Sequence, residues 1–401
     1  MSVWLPFILV FLLIPLSVTL PTPQKHSSPV EPDYWPTHGW RTSSPAPQGM
    51  NSQLLDQLEM ELHSVQICYN SFIVVRHGYI VFESYPNPVY DQDTLHFIAS
   101  VTKSVTAGLF GIAVDHGYIG SIQDSVLGYF PNRTFDNPSS WKESMIIRDL
   151  LTMKTGLQWD EGSYSYDDPR NSFVQWFASE DRVQFFLDLP MASAPDQRWY
   201  YNTGASSMLT TLITRTTGQT ALEFAAENLF QPLGISRYYW ESDTQGSNYG
   251  GFGMELLPRD MAKYGFLYLH KGRWEDQQVI STDWIAKSTS THTSFWPGYG
   301  YGYHWITFPF IGGYAAFGAG GQGIFVIPKY DLVIVVTAEQ PEGVPFVALI
   351  LSYVLPSLID SESNPTLVLQ LGWMLTLPVG ITISLPCVYL IKRRQRLQAT
   401  N

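Results

Sequence analysis

Two cysteines in 401 residues, Cys68 and Cys387, are too few for a disulfide framework or for a structural zinc site built on thiolates. The nine histidines stand singly, with no metal-ligand spacing, so His77 in a turn and His304 among aromatics read as structural residues and no metal is expected. Basic residues are scarce as well: 23 Lys and Arg stand against 35 Asp and Glu, a formal charge of −12, which argues against nucleic-acid binding.

Charged side chains are missing altogether from two long stretches. Residues 4–20 are nearly continuously apolar and precede Pro-Thr-Pro, which reads as a signal peptide over 1–24. Residues 366–391 carry no formal charge, and as a helix they would extend about 39 Å, enough to span a bilayer with some tilt. The run ends in the basic tail 392–401, which the positive-inside tendency places in the cytoplasm. The expectation is a single-pass cell-membrane protein with an extracellular catalytic domain and the C-terminal helix as its membrane contact. Asn132-Arg-Thr134, after Pro131, is the N-glycosylation sequon of such a domain.

Between these ends, residues 25–50 are rich in Pro and Ser and read as an extended linker or surface strap. The folded domain is expected over 51–360, long enough to bury a large core. Residues 71–85 alternate around His77-Gly78 as a β-hairpin, and 324–327 with 332–336 form another around Pro328-Lys-Tyr-Asp331. Helical patterns over 100–116, 147–153, 206–217 and 221–229 lie between them. Strands at both ends around a helical middle predict an α+β domain with one antiparallel sheet assembled from both termini.

Ser100 and Lys103 open the first of those helices. Three apart on a helix, both side chains project from one face, and the amine can reach the hydroxyl. A serine hydroxyl needs such a base at neutral pH, and burial among Val101, Val105 and Leu109 would help the lysine lose its proton. The spacing alone proves little: Ser-x-x-Lys is expected about once by chance in such a chain, and Ser139-Ser-Trp-Lys142 repeats it in a polar stretch that reads as a solvated loop or first helical turn.

Two further motifs supply context. Tyr200-Tyr201-Asn202 enters a helix as Tyr-x-Asn, a phenol for proton transfer and a carboxamide for orienting substrate or lysine. Tyr85-Pro-Asn87 is its decoy, a turn after the first hairpin. Ala316-Phe-Gly318-Ala319-Gly320-Gly321-Gln322-Gly323 contains G-x-G-x-x-G, but a β-branched strand follows it, which rules out a dinucleotide site. Glycines there let a substrate lie close against a strand edge.

In this order, Ser100-Val-Thr-Lys103, Tyr200-Tyr-Asn202 and Ala316-Phe-Gly318 resemble the serine β-lactamase and penicillin-binding-protein superfamily, in particular its class C-like branch of esterases and 6-aminohexanoate-dimer hydrolase-like proteins. The stretches 147–157, 228–235 and 250–265 are similar to that branch too, so the resemblance runs from about residue 68 to 337. It implies a β-lactamase/transpeptidase-like sheet flanked by helices, with a mostly helical insertion. It also implies Ser100 as acylated nucleophile, Lys103 as base, Tyr200 as proton carrier, Asn202 and Gly318 in substrate binding, and the N–H groups of Ser100 and Ala319 as oxyanion hole. No cofactor is called for, and the implied substrate is a small amide, peptide or ester.

One departure bears on substrate. The superfamily's β-lactamases and transpeptidases usually carry Lys or His where this chain has Ala316, which removes a cation for a substrate carboxylate. That lowers the standing of a β-lactamase or D-Ala-D-Ala carboxypeptidase. A binding domain with an idle site is the other alternative, against which stand the retained Ser100, Lys103 and Tyr200. Trp159, Tyr164, Tyr166, Trp176, Tyr299, Tyr301, Tyr303 and Trp305 are aromatic candidates for an apolar pocket, with packing the expectation for most.

Overall fold

The apolar runs at the two ends of the domain lie side by side in one sheet that is covered on both faces, which is why they read as nearly continuous hydrophobic sequence. The computed structural model describes residues 32–64, 69–339 and 346–358. Its main sheet consists of β1 (Tyr69–Arg76), β2 (Tyr79–Ser84), β3 (Thr293–Trp296), β4 (Tyr299–Tyr301), β5 (Ile306–Phe308), β6 (Gly313–Gly318), β7 (Gln322–Ile327) and β8 (Leu332–Ala338). The order is β2-β1-β8-β7-β6-β5-β4-β3, every neighbour antiparallel. β1 meets β8 with Ile73 opposite Val335 and Val75 opposite Val333, so the first and last strands are joined.

Alternation along these strands sends side chains to two cores. Phe72, Val74, Ile334 and Val336 pack on one face with Leu55, Leu58 and Leu62 of α1 (Ser52–Ser64) and with residues 346–358. Ile73, Val75, Val333 and Val335 pack on the other face, in the same core as the buried residues of α2 (Val101–Asp115). Further helices are α3 (Ile147–Leu151), α4 (Ser172–Ala178), α5 (Arg182–Asp188), α6 (Thr203–Thr217) and α7 (Pro258–Leu269). The result is the α+β, helix-flanked antiparallel sheet that the sequence predicts. The helix expected over 221–229 is regular only for Ala221–Ala225 and then widens into a π turn over Ala226–Phe230.

Residues 32–50 strap the domain, with Trp35 against Phe266 and Trp274, and with the Trp40 indole N–H donating to the Arg259 carbonyl at 2.9 Å. Tyr85 and Asn87 sit in the expected turn, bonded to Glu83 and Asn70. Asn132 is exposed in a turn.

The segments expected to form a signal peptide (1–24), a transmembrane helix (366–391) and a cytoplasmic tail (392–401) lie outside the described residues, as do Cys68 and Cys387. Among the described residues no helix is long and apolar enough to cross a membrane. α2 and α6, at 15 residues each, extend only about 22 Å and spend their apolar surface on the core. The expected single-pass cell-membrane location is therefore corrected: no described element provides an anchor.

Candidate active site

Ser100 follows Ala99, whose φ of 48° lies in the left-handed region that costs a residue with a β-carbon free energy. The end of β6 packs directly on this turn: a β-carbon at Gly318 would stand 2.5 Å from the Ile98 carbonyl oxygen and 3.1 Å from the Ala99 β-carbon. Glycine at 318 is what permits that approach. Ala316, two residues earlier on the same face, is buried in the helix-side core.

Ser100 occupies the N-cap of α2, yet its hydroxyl caps no backbone N–H. It meets Lys103 instead, whose Nζ lies 3.2 Å from Ser100 Oγ. Both are buried, 5% and 3% exposed. The decoy does the reverse. Ser139 accepts from the Lys142 backbone N–H as a true cap of the short helix Ser140–Glu143, while Lys142 Nζ donates to the carbonyls of Asp136 and Leu187, both at 2.7 Å. Of the two readings offered for this stretch the first helical turn is the one found, and the solvated loop is not, since Lys142 is buried.

Lys103 Nζ donates to the Gly251 carbonyl at 2.8 Å and to Thr203 Oγ1 at 3.1 Å, and it stands 4.6 Å from the centre of the Tyr201 ring. A β-carbon at Gly251 would lie 3.1 Å from Nζ and 2.6 Å from Thr203 Cγ2, so the close backbone approach requires glycine. A neutral amine keeps two N–H donors and one lone pair. It would satisfy Gly251 and Thr203 and offer the lone pair to the Ser100 hydroxyl. Burial brings the Lys103 ammonium down to about 8, against the opposing pull of Glu161.

The phenol at this site is not the expected one. Tyr200 is 44% exposed and turned away, its backbone N–H bonded to the Met153 carbonyl at 3.0 Å. Tyr201 comes to the pair, partly buried and within hydrogen-bonding reach of the Ser100 hydroxyl. Desolvation first, then the nearby Tyr301 and Glu161, push its ionisation well above the ordinary range, so it carries its proton at neutral pH. Asn202 is buried, but its side-chain oxygen caps α6 by accepting from the Ala205 N–H at 2.8 Å, and Thr203 takes the place beside the lysine. The motif acts one residue later than its spelling suggests, as Tyr201-Asn-Thr203. Residues 197–202 are irregular, without the periodicity that would say from sequence which neighbour points inward.

Glu161, Tyr301 and His304 are the other site residues that sequence reasoning missed or set aside. Glu161 comes from the loop before α4 and is taken up below. His304, buried with φ 59°, has Nδ1 3.3 Å from the Tyr301 hydroxyl and is pushed down to about 3 by burial and by Lys103, so its imidazole is neutral. Of the other aromatics, Trp176, Tyr299, Tyr303 and Trp305 are buried in packing, as expected for most of the group. Ala319 follows Gly318, half-buried in the turn after β6. Among the described residues no cluster of acidic, histidine or cysteine side chains could hold a metal ion.

Compared with known proteins, residues 69–354 match the family model described as Beta-lactamase. A 6-aminohexanoate-dimer hydrolase of Paenarthrobacter ureafaciens is 24% identical over 313 residues, covering 72% of this chain and 76% of its own. A solved structure from Bacillus anthracis, described as a candidate 6-aminohexanoate-dimer hydrolase, superposes with a TM-score of 0.62 at 18% identity over 88% of this chain and 91% of that one. EstCE1, a hydrolase with promiscuous acyltransferase activity, gives a TM-score of 0.61 at 14% identity over 72% and 93%. At these identities the solved structures attest the fold alone.

Proposed function

The chain belongs to the beta-lactamase family and is a serine hydrolase, and from that premise we propose that it cleaves a small amide, peptide or ester through an acyl-enzyme on Ser100. The observation that carries this reading is the buried Lys103 amine 3.2 Å from Ser100 Oγ, with the Tyr201 ring 4.6 Å from that same amine. Neutral Lys103 takes the Ser100 proton as Oγ bonds to the substrate carbonyl carbon. The N–H groups of Ser100 and Ala319 hold the resulting oxyanion. Tyr201 gives its proton to the leaving group as the carbonyl–heteroatom bond breaks, and the Lys103 ammonium re-protonates it. Water then attacks the acyl-enzyme with the same groups accepting its proton, and Ser100 is restored. No step calls on a metal or an organic cofactor. The relative's name, 6-aminohexanoate-dimer hydrolase, supports an amide substrate, and the buried Ala316 disfavours one that needs a cation at that position.

Fluorophosphonate labelling tests the reading: the wild type is expected to form one stoichiometric adduct that Ser100→Ala abolishes. No Ser100-dependent adduct, either with this reagent or with a fluorescent penicillin, would sink it, and an adduct with penicillin alone would turn it toward a penicillin-binding enzyme. The pH profile is a second check. A base works when deprotonated, so kcat/KM for a neutral ester is expected to rise about tenfold per unit below pH 8 and level off above it. No alkaline fall is expected before the raised Tyr201 phenol ionises. A profile flat from pH 6 to 9 would rule out Lys103 as the base.

A further inference from the structure

Among the described residues Glu161 is the acidic side chain that acts on Lys103. It is 5% exposed, and both of its oxygens are fully engaged. Oε1 accepts from the Thr203 hydroxyl at 2.5 Å and from the Tyr166 hydroxyl at 2.9 Å. Oε2 accepts from the Thr203 backbone N–H at 2.8 Å and the Trp159 indole N–H at 2.9 Å. Four donors fix the orientation of this buried carboxylate. An aromatic cluster of Trp159, Tyr166, Phe173, Trp176, Tyr249 and Phe252 packs around the loop that carries it.

The Thr203 hydroxyl has one proton, and it goes to Glu161. Its lone pairs therefore face Lys103 Nζ, 3.1 Å away, and a continuous line of hydrogen bonds runs from Ser100 through Lys103 and Thr203 to Glu161. We propose that Glu161 is a positioning residue for the nucleophile: through the Thr203 hydroxyl it holds Lys103 on Ser100 and sets the proton affinity of that lysine. Two opposed influences thus act on one amine. Burial expels its charge, and Glu161 retains enough of it for the ammonium to form once it has taken the serine proton. The other groups facing Lys103 add no negative charge at neutral pH. His304, behind β4, is neutral, and Tyr201, Tyr301 and Tyr166 keep their protons.

The kinetic readout of this inference rests on the acyl-enzyme reading, but a spectroscopic one does not. In protein labelled with [13Cε]lysine, the Lys103 resonance is expected to titrate near 8 in the wild type, and roughly one unit lower in Glu161→Gln, where the charge is gone and the shape kept. The acid limb of kcat/KM should move down by the same amount. Tyr166→Phe, which keeps the carboxylate and the threonine bridge, should leave the midpoint in place. Thr203→Val should lower it and Thr203→Ser restore it, which decides the matter even if Glu161→Gln fails to fold. An unmoved Lys103 midpoint in folded Glu161→Gln or Thr203→Val overturns the proposal. A midpoint that moves in a protein whose Ser100 never labels would instead overturn the hydrolase reading and leave this one standing.

Discussion

Replacing Tyr201 by phenylalanine is expected to lower kcat/KM for amide hydrolysis by roughly a hundred- to ten-thousand-fold, the range for losing a general acid–base, while Tyr200→Phe stays within about twofold of wild type. The two residues are chemically identical neighbours, and only placement separates them. Tyr201 is partly buried beside Ser100 and under the Lys103 amine, with its proton retained by desolvation. Tyr200 is 44% exposed. The Tyr201 substitution removes one oxygen and leaves the ring contacts with Trp199 intact, so its fold should be unaffected. Activated esters, whose leaving groups need no proton, should lose less activity than amides. Steady-state kinetics on a matched amide and p-nitrophenyl ester reads both effects. The reverse pattern, with Tyr200→Phe the damaging change, would mean that the motif works in the register of its spelling.

Lys103→Met is expected to reduce Ser100 labelling by about a thousand-fold or more and to destabilise the fold by roughly 3 kcal/mol, because it strands a buried carboxylate system that the amine had balanced. The Gly251 carbonyl and the Thr203 hydroxyl each lose a donor, and Glu161 loses the cation that acts on it. Denaturant unfolding measures the second effect and fluorophosphonate labelling at a temperature where the variant is folded measures the first. The decoy provides the contrast. Lys142 Nζ bonds the Asp136 and Leu187 carbonyls and none of the groups around Ser100, so Lys142→Met should cost stability and leave the labelling rate unchanged. A Lys103→Met enzyme that labels at the wild-type rate would remove the lysine from the mechanism.

Much of this site is written in short-range sequence. One helical turn puts Lys103 over Ser100 whatever surrounds them. The hairpins announce themselves by alternation around Gly- and Pro-containing turns, and the glycine at 318 marks a strand that something must approach closely. What the sequence could not tell is which side chain of an irregular segment points inward. The Tyr-x-Asn spelling points to Tyr200, and nothing in the sequence marks its neighbour Tyr201 as the one that turns to the lysine. The fold selects Tyr201 because Asn202 is used to cap α6 and the Tyr200 backbone is tied to Met153, which together fix the turn.

Ser100-x-x-Lys103 was therefore settled by the sequence as a geometry, since neighbours one turn apart on a helix must meet. Its chemistry was decided by the tertiary structure alone. The desolvation that makes the lysine a base, the Gly251 carbonyl and Thr203 hydroxyl that orient it, and the Glu161 carboxylate that opposes its loss of charge come from segments 58 to 148 residues away along the chain, as the spans from Lys103 to Glu161 and to Gly251 show. Charge in a buried site depends on distances in space, and no local pattern of residues records them.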